Sequence, residues 1–218
     1  MSNPIPLLPG NFYHIYNRGM NGADLFYCND NYNYFLAQFE IHAHPVVDTF
    51  AWCLLRNHFH MLVRVKQGQE IRVGQLANPP RQLDLTGLEN LSGLTPVEVA
   101  AFASKSFSNL FNAYARGLNK QRGRKGAVWS RPFNRKLVDS ERYFKQLVVY
   151  IHTNPVKHGF ADSFMDYPWS SYQTLLSVKP TKLQRGRVVG WFDGKGNFVN
   201  QHSKLIDYKF IDHLTIEY

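Results

Sequence analysis

The sequence of 218 residues predicts an α+β fold, a ferredoxin-like antiparallel sheet with helices packed on one face. Several segments alternate apolar and polar residues with a period of two, which is typical of strands. Longer segments repeat their apolar residues with the spacing of an amphipathic helix. These segments follow one another in the order β-α-β-β-α-β-α, which favours an antiparallel sheet with helices in a second layer.

Four segments have the pattern of strands. Residues 11–18 alternate and are followed by a glycine. Residues 46–56 and 58–65 are rich in apolar and β-branched side chains and are separated by a turn-forming asparagine. Residues 128–138 are predicted to be extended. We expect these segments to form the sheet.

Three segments have the pattern of helices. Residues 29–44 begin with capping residues and end before Pro45. Residues 96–119 begin with a proline in the first turn, which is typical of a helix start. The third helix begins at residues 139–140 and is expected to end near Gly159.

The domain organisation follows from these elements. Residues 1–175 are predicted to form one domain, with an insertion at about 67–97 that is rich in Gly, Pro, Asn and Gln. Residues 176–218 are predicted to be a C-terminal extension, whose role the sequence does not indicate.

The composition excludes several classes of protein. The sequence has no run of eighteen apolar residues, so no membrane span is expected, and its start lacks the pattern of a signal peptide. Only two cysteines are present, Cys28 and Cys53, which argues against a disulfide framework and fits a reducing cytoplasm.

Positive charge is concentrated in one part of the chain. The formal net charge is +9, and residues 99–138 contain no Asp or Glu. Phenylalanine, tyrosine and tryptophan are interleaved with the cations there, which favours single-stranded nucleic acid as the partner, although a solvated basic loop has the same charge. The nine cations are Lys105, Arg116, Lys120, Arg122, Arg124, Lys125, Arg131, Arg135 and Lys136.

A pair of histidines indicates a metal site. His58 and His60 are two residues apart on a predicted strand, so their side chains point to the same face. Two neighbouring imidazoles on a rigid strand form half of a site for a divalent metal. The alternative is two polar residues on a solvated sheet face.

The last predicted helix carries two further candidates. Tyr150 and Asn154 are four residues apart and therefore share a helix face. Asn154 is a candidate third metal ligand, and Tyr150 is a candidate nucleophile if nearby positive charge stabilises its phenolate. Otherwise Tyr150 is a core residue and Asn154 a cap at the helix end.

Five motifs occupy residues 13–19, 55–62, 126–133, 150–159 and 166–172. They resemble those of the single-tyrosine HUH transposases, in particular the REP-associated tyrosine transposases. The third resembles the family's Gly-x-Leu-Trp-Gln-x-x-Phe segment, and the fourth its Tyr-Ile-x-x-Asn-Pro-Val element. The second departs from the family's Met-Pro-Asn-His-x-His only before its histidines.

The resemblance implies an HUH endonuclease core with metal-assisted chemistry on single-stranded DNA. It makes His58, His60 and Asn154 the ligands of Mg²⁺ or Mn²⁺ and Tyr150 the nucleophile. Tyr150 would cleave a phosphodiester, form a 5′-phosphotyrosine link and allow strand transfer. It also implies recognition of DNA hairpins, and the eight cations from Arg116 to Lys136 are the expected DNA contacts.

Other functions remain open at this point. A replication initiator or relaxase shares the HUH chemistry, and a domesticated hairpin-binding protein would share the fold without cutting. RNA is a further possible ligand. The sequence is compatible with a homodimer, and it does not indicate whether Tyr150 acts in its own subunit.

Overall fold

A computed structural model describes residues 4–77, 85–130 and 132–204. It contains a four-stranded antiparallel sheet in the order β2-β3-β1-β4. The strands are β1 (Phe12–Arg18), β2 (Val47–Leu55), β3 (His58–Val65) and β4 (Asn134–Val138).

Three long helices and three short ones accompany the sheet. Thr95 and Glu98 form a capping box at the start of the second helix, and Ser140 caps the third. The helices are α1 (Asn29–His42), α2 (Pro96–Gln121), α3 (Glu141–Lys157), α4 (Tyr172–Leu176), α5 (Arg185–Trp191) and α6 (Lys195–Ser203). None of the helices in the described ranges is long and apolar enough to cross a membrane.

The predicted fold class is confirmed, because β1-α1-β2-β3-α2-β4 has the element and strand order of a ferredoxin-like fold. The prediction that the helices lie on one face needs correction. α1 and α2 pack against the face that carries Phe59 and Met61, and α3 packs against the face that carries Leu62. Both faces of the sheet are therefore covered. The fourth strand is also shorter than the predicted residues 128–138.

Aromatic side chains join the layers on each face. On one face, the Phe59 ring lies 5.2 Å from Phe35 of α1 and 5.8 Å from Phe111 of α2. On the other, the Phe50 ring lies 5.6 Å from Phe144 of α3 and stacks on Trp191 at 5.5 Å. The C-terminal helices thus complete the second core.

A buried hydrogen-bond chain connects α6, α3 and the sheet. The Phe198 carbonyl can only accept, so His202 Nδ1 donates to it at 2.7 Å. His202 Nε2 then accepts from His152 Nδ1 at 2.8 Å, and His152 Nε2 accepts from the Ser171 hydroxyl at 2.8 Å. Ser171 Oγ in turn accepts from the Trp52 backbone N–H at 2.9 Å. One carbonyl therefore determines the tautomers of both imidazoles.

Replacing His202 with Phe should destabilise the protein. The ring volume is kept, but the buried His152 N–H loses its acceptor, which costs about 1–3 kcal/mol. Denaturant unfolding at neutral pH measures this loss. Asn200→Ala, an exposed change on the same helix, is the control, and an equal loss in both variants would contradict the assignment.

The contribution of His202 should also depend on pH. Burial lowers the pKa of His202 from 6.5 to about 4, against the opposing effect of its bond to the Phe198 carbonyl. The folded state then binds fewer protons than the unfolded state between these values. The contribution of His202 to the free energy of unfolding is full above pH 6.5. It falls by about 1.4 kcal/mol per pH unit as the pH is lowered toward 4. The stability difference between wild type and His202→Phe should shrink over this range, and a constant difference would refute the assignment.

Candidate active site

Four polar ring side chains form a group on the sheet face that α3 covers. His14 and Tyr16 belong to β1, and His58 and His60 belong to β3, because alternate residues of a strand share a face. Tyr16 is paired with His60 in the antiparallel register. The His60 ring lies 5.0 Å from His14 and 5.2 Å from His58. The predicted His58–His60 pair is thus part of a larger group of rings.

A neighbouring side chain holds each imidazole of the pair by its Nδ1 atom. His58 Nδ1 lies 2.7 Å from Asn57 Oδ1, and an amide oxygen only accepts, so Nδ1 carries the proton and Nε2 has a lone pair. Nε2 of His58 is buried and makes no hydrogen bond within residues 4–77, 85–130 and 132–204. His60 Nδ1 lies 2.9 Å from His14 Nε2. Such outer contacts are typical of metal-binding histidines.

α3 places Tyr150 and Asn154 over this group. The Tyr150 ring meets His60 edge-on at 5.4 Å and His14 at 6.4 Å. Tyr150 and Asn154 are both 0% exposed. Asn154 Nδ2 donates to the Tyr150 carbonyl at 3.4 Å, whereas Asn154 Oδ1 and Tyr150 Oη have no hydrogen-bond partner in the described part of the chain.

The imidazoles of the group are neutral at physiological pH. Burial lowers the pKa of His14 to about 3, and the charge of Lys136 acts in the same direction. Burial also lowers the pKa of His58 to about 3, although a polar contact with Asn154 opposes the shift. The pKa of His60 is lowered well below its usual range, mainly by burial. Neutral imidazoles are the form that binds metals.

Positive side chains surround the group. Lys157 Nζ lies 5.0 Å from the centre of the Tyr150 ring, two helical turns along α3. Arg18 is paired with His58 in the register, and the charges of both cations lower the pKa of His58. The His158 ring also lies 4.8 Å from that of His58, but burial lowers the pKa of His158, so it is not one of these cations. A developing negative charge on a phosphate or a phenol oxygen would therefore be stabilised here.

The structure brings the predicted residues His58, His60, Tyr150 and Asn154 to one place. Among the described residues, no group of three His, Cys, Asp or Glu side chains is arranged to hold a metal. Asn154 stays the predicted third protein ligand, and the metal ligands as a set stay a prediction. The sequence reasoning missed His14, which shares the alternation of β1 with Tyr16.

Comparisons with known proteins bear on this arrangement. No family model matches the chain. A Haemophilus influenzae protein named as a REP-associated tyrosine transposase is 27% identical over 133 residues, which are 59% of this chain and 61% of that protein. The chain thus spans about three fifths of the length of this curated relative.

A solved structure of a REP-associated tyrosine transposase bound to a REP hairpin has a similar fold. The TM-score is 0.56 at 15% identity, covering 83% of this chain and 89% of that chain. The chain is similar in sequence to one REP-associated tyrosine transposase and similar in fold to another. The predicted resemblance to this family is thereby confirmed, and the structural match supports the fold.

The predicted DNA-contacting cations do not form one surface. Lys136 is paired with His14 and lies on the α3 face. Arg135 lies on the opposite face, where its guanidinium covers the Phe133 ring at 4.0 Å and donates to Ser104 Oγ at 2.9 Å. Consecutive residues of a strand point to opposite faces, which divides this part of the basic segment.

The remaining predicted cations lie at the end of α2 and in the loop after it. Arg122 places its guanidinium 4.2 Å above the Tyr27 ring. Arg124 donates to Asn119 Oδ1 at 2.9 Å and to the Ala127 carbonyl at 3.3 Å, so it holds the loop in shape. Arg131 lies outside the described residues. The exposed cations of this group are Arg116, Lys120, Arg122 and Lys125.

Proposed function

We propose that the chain is a transposase-type endonuclease and strand transferase that acts on single-stranded DNA and recognises DNA hairpins. The observation that carries the proposal is the convergence of Tyr150 and Asn154 with the neutral imidazoles of His58 and His60. The relationship to the Haemophilus influenzae protein and the fold shared with a hairpin-bound transposase support it.

The proposed cofactor is Mg²⁺ or Mn²⁺, held by His58, His60 and Asn154. His58 Nε2 and Asn154 Oδ1 fit this role, because both are buried electron-pair donors for which the described residues provide no hydrogen-bond donor. Imidazole nitrogen and amide oxygen are both common ligands of divalent metals. A bound metal ion would supply Lewis-acid polarisation of a phosphate oxygen.

The proposed reaction is a transesterification by Tyr150. The phenol loses its proton as its oxygen attacks the phosphorus, the bond from phosphorus to the 3′ oxygen breaks, and the leaving 3′ oxygen takes up a proton to become a 3′-hydroxyl. The 5′ phosphate remains as a phosphotyrosine ester, and the hydroxyl of another strand can reverse the step. Lys157, 5.0 Å from the Tyr150 ring, stabilises negative charge on the phenol oxygen.

The proposed DNA contacts fall into two groups. Arg18, Lys136 and Lys157 lie near the candidate site and suit the phosphates closest to the reaction. The exposed cations Arg116, Lys120, Arg122 and Lys125 suit the backbone of a hairpin, and phosphate contacts of this kind add affinity that depends on salt.

The burial of Tyr150 favours a second candidate function, a hairpin-binding protein that does not cut. Tyr150 is 0% exposed, so a phosphate can reach its oxygen only after α3 or its surroundings move. In a cutting enzyme DNA binding has to drive this opening, whereas a binding protein needs no such movement. Measuring the covalent adduct separates the two functions.

Tyr150→Phe should abolish a covalent protein–DNA adduct. With Mn²⁺ and a single strand that contains a hairpin, the wild type should form an adduct that survives denaturing electrophoresis, and a chelator should prevent it. Tyr143→Phe is the matched control, because Tyr143 is also a buried tyrosine of α3. An adduct with Tyr150→Phe would disprove the nucleophile. Hairpin binding without an adduct in the wild type would support the binding protein.

His14→Phe should weaken metal binding in the absence of DNA. We infer that His14 accepts a hydrogen bond from His60 Nδ1, 2.9 Å away, and so leaves His60 Nε2 as a ligand. Loss of such a partner lowers metal affinity by about ten- to hundredfold. Titration of Mn²⁺ followed by electron paramagnetic resonance measures this. His14→Gln retains an acceptor and should lose less, and unchanged affinity in His14→Phe would contradict the role.

A further inference from the structure

A pocket of about 840 Å³ opens beside the candidate site. Its walls come from the start of α1, the chain that follows α3, and residues 166–169 of the fifth motif. Gly159, at φ +67°, turns the chain out of α3 into the pocket wall. The volume lies in the range of about 300–1,000 Å³ that is typical of small-ligand sites. The chemistry of Tyr150 makes no use of this pocket.

Flat aromatic rings line one side of the pocket. The Tyr32 ring stacks on Phe26 at 4.5 Å with an angle of 15°, and on Trp169 at 4.4 Å with an angle of 8°. Trp169 is only partly buried and lines the pocket. A planar ligand suits such a wall, and unpaired nucleobases stack on aromatic side chains of this kind.

Carboxylates line another side. Asp162 and Asp166 are exposed residues of the wall, and the nearby cation Arg56 is engaged by Asp24 at 2.8 Å. Carboxylates repel a phosphate but accept hydrogen bonds from N–H groups. The edges of guanine, adenine and cytosine carry an exocyclic amino group, whereas thymine has none and offers only its ring N3–H.

The pocket lies next to both the candidate site and the cations at the end of α2. Phe160 lines the pocket, and its ring lies 6.3 Å from that of His58. At the other side, Tyr27 lines the pocket and carries the guanidinium of Arg122 at 4.2 Å. A DNA strand that passes from Arg122, at the end of α2, toward His58 would therefore cross the mouth of the pocket.

We propose that this pocket binds an unpaired base of the DNA strand and prefers a base with an exocyclic amino group. The base stacks on the aromatic wall, its amino group donates to Asp162 or Asp166, and its phosphates stay outside near Arg122 and the candidate site. The proposal rests on the proposed function for the identity of the strand. It makes the pocket a determinant of which nucleotide lies beside the cleaved bond.

Titration of the 218-residue chain with deoxynucleoside monophosphates tests the proposal. Two-dimensional NMR follows the indole N–H of Trp169, which Trp169→Phe assigns. We expect dGMP, dAMP and dCMP to shift this signal and to bind about tenfold more tightly than dTMP, since hydrogen bonds to a charged acceptor are worth about that factor. Deoxyribose 5-phosphate should leave the signal unchanged.

Asp162→Asn combined with Asp166→Asn tests the carboxylates, which are exposed and can be changed without disturbing the core. The amides should reduce the tenfold preference to about twofold or less, because an amide donates as well as accepts. Asp193→Asn, an exposed change outside the pocket, should keep the preference. A double variant that keeps the preference would overturn the proposal, as would equal binding of dTMP or no shift of Trp169 with any nucleotide.

The mononucleotide experiment requires no cleavage, so its result is independent of the adduct assay. A wild type that forms the Tyr150 adduct but shows no Trp169 response would overturn the base pocket alone. A Trp169 response with the expected selectivity, in a protein that forms no adduct, would support the pocket and count against the proposed nuclease.

Discussion

The packing of α3 against the face formed by β1 and β3 is the constraint on which the rest of the structure depends. It buries Tyr150 beside His60 and brings Asn154 within reach of His58. The same burial keeps the imidazoles neutral, since a charged ring cannot be solvated there. Geometry and protonation of the site thus have one cause. The hydrogen-bond chain from Trp52 through His152 to α6 holds α3 in this place.

Much of the fold and part of the site could be predicted from periodicity. The spacing of two between His58 and His60, and of four between Tyr150 and Asn154, depends only on local geometry. The contact of His14 with His60 depends on β1 lying next to β3, which is a property of the sheet order. The predicted ferredoxin-like fold implies that order, but local patterns carry no information about the register that sets His14 beside His60, so the contact itself was not predicted.

The sequence did carry a signal that both faces of the sheet are covered. Cys53, Leu54 and Leu55 are three consecutive apolar residues, which is typical of a strand covered on both sides, and all three are fully buried. The ferredoxin-like order accounts for α1 and α2, and α3 is an additional helix that occupies the open face. Likewise, the basic segment is continuous along the chain but divided in space, because the alternation of β4 separates Arg135 from Lys136.

The complete enclosure of Tyr150 has a kinetic consequence for any chemistry at this centre. As the proposed nucleophile, Tyr150 would be shielded from accidental targets as well as from water, so the resting protein would be inert. Turnover would then be governed by how often α3 or its surroundings move to expose the phenol, on the microsecond-to-millisecond scale of such gating motions. Selectivity among DNA strands would arise from which strands can drive the exposure of Tyr150, before any bond is broken.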